Sequence, residues 1–268
     1  MNYKMIALDM DGTLLDESKN ISSRNKKAIQ KAKAIGKKVV IATGRPLVGI
    51  KWVLNELEIN ASDDYVIAFN GALVQNVHTE DVIFQRTLSL EDYTYLYQFS
   101  QAYGVHIQAL TESYVTTPVH NPYTQVEADI NQIQTVLCDV HAFDPNETIV
   151  KVMFVDEKEK LDDIEKHLPE VLKSNYSVLR SAPIFLEFLN PEVNKGVGVQ
   201  AIAAVENYDA SEIICVGDAG NDIAMIEYAG LGVAMANASP SVKDVANHIT
   251  DSNEDDGVAK VIETFMLA

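Results

Sequence analysis

The stretch from Met5 to Leu15 (MIALDMDGTLL) places two carboxylates, one residue apart, directly after a short apolar run. Met5-Ile6-Ala7-Leu8 predicts a buried strand, and Gly12 allows a sharp turn where that strand ends. In an extended chain Asp9 and Asp11 point to the same side. Like charges that close repel each other unless a cation sits between them or one keeps a proton. A hard divalent cation would take carboxylate oxygens there. Alternatively one carboxylate attacks as a nucleophile while its neighbour handles the proton. Taken alone, these residues are equally well explained as a strand followed by an ordinary Asp-Gly turn.

The same pattern recurs along the chain. Ser22 or Ser23 can cap a helix reaching about Ile35, with Ala28, Ile29, Ala32 and Ile35 at helical spacing and Gly36 as its stop. Val39 to Ala42 is a second buried strand, ending in Thr43-Gly44-Arg45-Pro46, and Pro46 suits the first turn of a following helix. Tyr65 to Phe69 is a third strand, ending at Asn70-Gly71. Alternating strands and helices of these lengths predict a parallel sheet covered on both faces.

After about Val82 the pattern changes. Ile83 to Leu88, Val105 to Leu110, Tyr114 to Thr117, Thr148 to Asp156 and Tyr176 to Leu189 are strand-like but mixed in polarity. Helical spacing runs over Leu90–Tyr103 and over Glu157–Leu172, where Pro169 lies near the end, and Tyr123–Leu137 reads as a third helical segment. Such a mixture predicts an α+β domain with helices to one side and a half-exposed sheet. The parallel pattern then resumes: a helix from Lys195 to about Glu206, a strand Ile213–Gly217 ending at Asp218, a helix over Ile223–Ala229, and a strand Gly232–Met235 ending at Ala236-Asn237. A short helix over Val242–Ala246, a strand at Ile249 and a closing helix over Gly257–Met266 complete it. The expected fold is α/β: a doubly wound parallel-sheet core formed by 1–82 and 189–268, with an α+β domain inserted at 83–188.

Bulk properties narrow the function. The 268 residues are 47% hydrophobic, enough for a sizeable core, and the formal net charge is −18. That charge argues against nucleic-acid or anionic-membrane partners, and it requires a local cationic trap for any anionic substrate. Cys138 and Cys215 fit no metal or redox spacing. The N-terminal apolar run is too short for a signal peptide, and no stretch reaches the roughly 20 apolar residues of a membrane span. A cytoplasmic location is expected.

Four predicted strands thus end in Asp9-Met10-Asp11, Thr43-Gly44, Asn70-Gly71 and Asp218-Ala219-Gly220-Asn221-Asp222. Ligands of open parallel sheets bind beyond the carboxyl ends of the strands. Segments some 200 positions apart should therefore share one mouth. Any one of these ends is plausible as a turn; the set of four is what argues for a site.

These residues, in this order, resemble the haloacid dehalogenase superfamily of phosphohydrolases: Asp9-Met10-Asp11-Gly12-Thr13, then Thr43, then Lys195, then Gly217-Asp218 with Asn221-Asp222. The insertion between Thr43 and Lys195 is similar to its type-2 cap. Ala42-Thr43-Gly44-Arg45, Phe69-Asn70-Gly71-Ala72, Asn194-Lys195-Gly196, Val233 to Ala238 and Asp256-Gly257-Val258-Ala259 extend the likeness to the Cof-type sugar phosphatases.

The resemblance implies a phosphoric monoester hydrolase acting on a small phosphorylated substrate of the sugar-phosphate class, with Mg²⁺ as cofactor. Asp9 would attack phosphorus to give an aspartyl-phosphate, and Asp11 would protonate the leaving alkoxide and then deprotonate water. Asp9, the Asp11 carbonyl and Asp218 would ligate the metal. Met10, Thr43, Gly44, Lys195 and Asn221 would hold phosphate, with Arg45, Asn70 and Asp222 in support. Asp222 is expected to orient Lys195 rather than bind metal. The second carboxylate, Asp11, favours a phosphatase or a phosphomannomutase-like mutase over dehalogenases and ion pumps, which lack it.

Other signals carry less. Gly196-Val197-Gly198-Val199-Gln200-Ala201 fits a dinucleotide-loop pattern, but Pro191, Glu192 and Asn194 stand where a preceding strand is required. The Asp251–Gly257 run fails as a calcium loop because its glycine comes one place late and Ile262 occupies the twelfth position. The six histidines have no ligand spacing. In the insertion, Tyr114, His120, Tyr123 and Glu187 are read as packing or surface residues.

Overall fold

A computed structural model of the chain describes residues 3–267. The chain opens with β1 (Met5–Leu8), α1 (Ser23–Ala34), β2 (Lys38–Ala42), α2 (Leu47–Glu56), β3 (Tyr65–Ala68), β4 (Leu73–Asn76) and β5 (Val82–Gln85). There follow α3 (Leu90–Tyr103), β6 (His106–Leu110), β7 (Tyr114–Thr117), α4 (Pro122–Asn131), β8 (Gln134–Leu137), β9 (Lys151–Val155), α5 (Lys158–Lys166), α6 (Glu170–Asn175), β10 (Ser177–Ala182) and β11 (Phe185–Leu189). The last part holds α7 (Lys195–Glu206), β12 (Ile213–Gly217), α8 (Ile223–Tyr228), β13 (Leu231–Ala234), α9 (Pro240–Val245), β14 (His248–Ile249) and α10 (Gly257–Phe265).

Contacts divide the chain into two units: 1–44, 52–85 and 194–268 in the first, 45–51 and 86–193 in the second. The first unit holds an eight-stranded sheet in the order β14-β13-β12-β1-β2-β3-β4-β5. From β14 to β3 every pairing is parallel, and β4 and β5 add an antiparallel edge. Met5, Ala7, Val40, Ala42, Ile67 and Cys215 pack on one face against Val199, Ile202 and Ala203 of α7. The alternate residues Ile6 and Leu8 are fully buried too, so β1 has no solvent-facing side. That is why it reads as a continuous apolar run rather than an alternating one. Ser22 caps α1 by accepting the Asn25 N–H at 3.0 Å. Gly36 follows with φ +80°, a conformation that suits glycine at a helix end.

The second unit is a six-stranded sheet, β10-β11-β9-β6-β7-β8, antiparallel except for β7 with β8. Tyr93 and Leu96 of α3, Leu161 of α5 and Leu172 of α6 pack with Ile107, Val152, Phe154 and Phe188 on one face.

Several expectations need correction. The strand-like run 83–88 is split: its first part belongs to β5 of the first sheet, which pairs with β4, an element the sequence reading missed, while Leu88 bridges Ile149 in the second unit. The division between the units falls after Gln85 and after Val193 rather than at 82/83 and 188/189. The segment 123–137 is not one helix: Gln132 adopts φ +55°, ends α4 and starts the turn into β8. The segment 157–172 is two helices, because Pro169 ends one and stands before the next. The second sheet is exposed towards its edges rather than on one face: β9 and β11 are buried along their whole length, whereas the edge strands β8 and β10 are partly exposed. Their polar residues are paired in place: Lys151 Nζ lies 2.6 Å from Glu187 Oε1 and 3.4 Å from Glu127 Oε1, all three buried.

Candidate active site

Parallel neighbours end side by side, and β1 lies between β12 and β2. Asp9 extends β1 by one rung, its N–H donating to Val216 O at 3.0 Å, and Asp218 stands just past the end of β12. Past β2, Thr43 donates its N–H to Ile67 O and its carbonyl accepts the Asn70 N–H, each at 2.9 Å. Register alone therefore brings the ends of β1, β12, β2 and β3 to one edge of the sheet.

The centre of this edge is a buried ion cluster. Lys195, in the first turn of α7, has no exposed surface. Its Nζ donates at 2.6 Å to Asp9 Oδ1 and at 2.6 Å to Asp222 Oδ1. Asp222 Oδ2 accepts the N–H groups of Asp218 and Ala219, both at 2.9 Å. Oxygens of Asp9, Asp218 and Asp222 all lie within 4.8 Å of one another. Asp222 is already engaged on both oxygens by the ammonium and two amides, so Asp9 and Asp218 are the carboxylates left to face a cation. Thr13 Oγ1 donates to Asp218 Oδ1 at 2.8 Å and fixes its orientation.

Electrostatics follow from burial. Desolvation pushes the Asp9 carboxyl well above its ordinary range, the Asp222 carboxylate adds to the push, and Lys195 opposes it. Asp218 is raised for the same first reason, with the Thr13 hydrogen bond opposing. Burial acts to lower Lys195, but Asp222 and Asp9 outweigh it and hold the ammonium above its usual value. Three carboxylates with one ammonium leave the cluster negative, and its donors are hard oxygens. Such a set fits a hard divalent cation.

Close approaches fix the loops. Gly12 has φ +85°, and a Cβ there would sit 2.6 Å from Asp218 Oδ2, so the turn after Asp11 requires glycine. Gly71, at φ +98°, would bring a Cβ within 2.1 Å of Asn194 O, the residue that caps α7 beside Lys195. Phe69 and Asn70 before it are also left-handed, at φ 50° and 57°. This strained turn places Asn70 Oδ1 where it accepts Asn221 Nδ2 at 2.8 Å, and beside Gly44.

The structure thus brings Asp9, Asp218, Lys195 and Asp222 into contact, and links Asn70 with Thr43, Gly44 and Asn221. Met10 is buried behind Asp9, and its carbonyl accepts the Leu14 and Leu15 amides. Asp11 is partly exposed and paired with Lys19 at 2.9 Å. Arg45 groups by its contacts with the second unit. Residues outside the expected set also build the edge. Thr13 orients Asp218. Asn237 Nδ2 donates to Gly12 O at 2.8 Å, and Asn253 Nδ2 to Leu15 O at 2.9 Å. Thr13 and Asn237 lay inside motifs already singled out; Asn253 lay in the Asp251–Gly257 run set aside as a failed calcium loop.

The sequence profile described as haloacid dehalogenase-like hydrolase matches residues 6–262. The chain belongs to that family. The hydrolase is 40% identical over 268 residues to YxeH of Bacillus subtilis, a candidate phosphatase by name, with 99% of each chain covered. It is 32% identical to YitU of Bacillus subtilis, named a 5-amino-6-(5-phospho-D-ribitylamino)uracil phosphatase, with 97% of each covered. Among solved structures, the subclass IIB sugar phosphatase BT4131 superimposes with a TM-score of 0.79 at 26% identity, covering 98% of each chain. The hydrolase is a phosphoric monoester hydrolase with a parallel-sheet α/β core, and its acidic cluster can hold a metal ion. No helix among the described residues is long and apolar enough to cross a membrane.

Proposed function

We propose that the chain hydrolyses small phosphate monoesters, sugar phosphates foremost, through an aspartyl-phosphate on Asp9, with Mg²⁺ as its cation. The observation that supports this most is the buried Lys195 ammonium held between Asp9 and Asp222, with Asp218 alongside. An acidic protein has built a fixed cation between two carboxylates, and a second cation would be shared by Asp9 and Asp218.

Asp9 attacks phosphorus; the bond from phosphorus to the alkyl oxygen breaks, and that oxygen takes a proton from Asp11. Water then attacks the phosphorylated Asp9, its proton passes to Asp11, and Asp9 leaves as carboxylate. Lys195 offsets charge on Asp9 and on the phosphoryl oxygens. Thr43, Gly44 and Asn221 orient the phosphoryl group, with Asn70 holding their loops in place. Asp9, Asp218 and the Asp11 carbonyl would hold Mg²⁺, which when bound shields the nucleophile from phosphate repulsion. Substrate selectivity is assigned to the second unit, which carries none of these loops. The names of the relatives BT4131 and YitU support a phosphorylated sugar or polyol as substrate.

The test is a phosphate-release panel of sugar phosphates, nucleotides and cofactor phosphates, with Mg²⁺ and with EDTA. Turnover of sugar or polyol phosphates that EDTA stops and Mg²⁺ restores is the expected result. Activity indifferent to EDTA overturns the metal assignment. Isomerised product with little free phosphate overturns hydrolysis in favour of a mutase.

A further inference from the structure

Lys19 takes no part in the cluster above, yet its Nζ lies 2.9 Å from Asp11 Oδ1. It reaches that oxygen from a five-residue turn, Asp16 to Asn20. The Asp16 N–H donates to Asn20 O at 3.0 Å, the Lys19 N–H to Asp16 O at 3.0 Å, and the Asn20 N–H to Asp16 Oδ1 at 2.8 Å. The turn is fixed from outside as well. Asn237 holds Gly12 O, Asn253 holds Leu15 O, and the Glu17 N–H donates to Glu254 Oε1 at 2.7 Å. The lysine is therefore delivered by an anchored hairpin rather than by a loose loop.

Its backbone is the second observation. Lys19 has φ +62°, a position where glycine or asparagine is the less strained residue. The ion pair does not offset that strain, because both side chains are well exposed and exposed pairs contribute little to stability. A lysine here weakens the turn for no return in folding; what it adds is an ammonium on one oxygen of Asp11.

We propose that Lys19 is a positioning residue for the acid–base carboxylate: by holding Oδ1 it fixes the orientation in which Asp11 gives and takes its proton. This rests on the role given to Asp11 above. A positioned acid matters when the leaving group is an alkoxide. It matters little when the leaving group is stable as an anion, as nitrophenolate is.

The experiment compares wild type with K19M, K19R and K19G, and with D11N in parallel. The substrates are p-nitrophenyl phosphate and the alkyl monophosphate turned over fastest in the panel above. K19M should lower kcat on the alkyl ester roughly tenfold at nearly constant KM, a fraction of the 10²–10⁴ a positioned acid–base supplies. The pre-steady-state burst of nitrophenolate should stay at the wild-type rate. K19R should restore kcat. K19G should lose kcat as K19M does while melting no lower than wild type, since it relieves the left-handed strain. Wild-type kcat in K19M or K19G, an equal loss in the burst rate, or no rescue by K19R overturns the proposal. D11N separates the two readings: if D11N itself turns over normally, the acid–base role fails. If D11N stalls while K19M is unaffected, only the role of Lys19 fails.

Discussion

Asp9 sits where two requirements conflict. The nucleophile proposed for this position must be ionised, but burial and its acidic neighbours favour the protonated form. Lys195 offsets this from within hydrogen-bond distance, and a cation held with Asp218 would complete the balance. Asp9→Asn should therefore abolish turnover, checked by phosphate release. Asp11→Asn should bind substrate yet lose roughly 10²–10⁴ in kcat and accumulate phosphoenzyme, checked by acid-quench trapping of labelled phosphate. Lys195→Met should also destabilise the fold, by roughly 3–5 kcal/mol, because it strands two buried carboxylates; denaturant melts read this directly. Individual residues were legible to different degrees. The carboxylates and Lys195 stand in motifs whose types and order carry the chemistry. The support from Thr13, Asn237 and Lys19 was not legible, because it acts through hydrogen bonds set by turns. No periodicity records which carbonyl an asparagine reaches.

At the scale of elements, the parallel strands were readable because burial on both faces leaves an unbroken apolar run, as in Val39–Ala42. The second unit was harder to read for a physical reason: its sheet buries charge. Lys151, Glu127 and Glu187 resemble surface residues in sequence, and only pairing lets them be buried. Burial raises Glu127 above the usual glutamate range, with Lys151 opposing. A carboxyl raised in the folded state binds its proton more tightly there than in the unfolded chain. Its contribution to stability is therefore present at low pH and lost as pH rises from the ordinary glutamate value through the raised one. Glu127→Gln should remove that loss, leaving a protein at least as stable as wild type near pH 7, with Lys151 still paired to Glu187. Lys151→Met should lower stability by roughly 3–5 kcal/mol. Urea melts across pH 4 to 7 check both variants, and a strongly destabilised Glu127→Gln would contradict this account. The missed β4 had a similar cause: Gln75 and Asn76 break its apolar run, and Asn76 is buried only because its amide donates to Ser62 O and accepts the His78 and Thr79 N–H groups.

For the whole molecule, the net charge of −18 opposes the approach of any phosphate ester. Raising ionic strength from about 0.01 M to about 0.15 M shortens the screening length from about 30 Å to about 8 Å. With Mg²⁺ kept saturating, kcat/KM should rise over that range while kcat stays level. A fall would mean that the local cations govern encounter instead.

The order of strands also sets a timetable. β1 leaves the ribosome well before one of its two neighbours, β12, which begins only at Ile213. Until Ile213 and the strand it opens have been synthesised, the strand bearing the proposed nucleophile has one flank of unmatched amides and carbonyls. A nascent chain halted before Ile213 should therefore be catalytically silent and dependent on chaperones, however well its middle section has already folded.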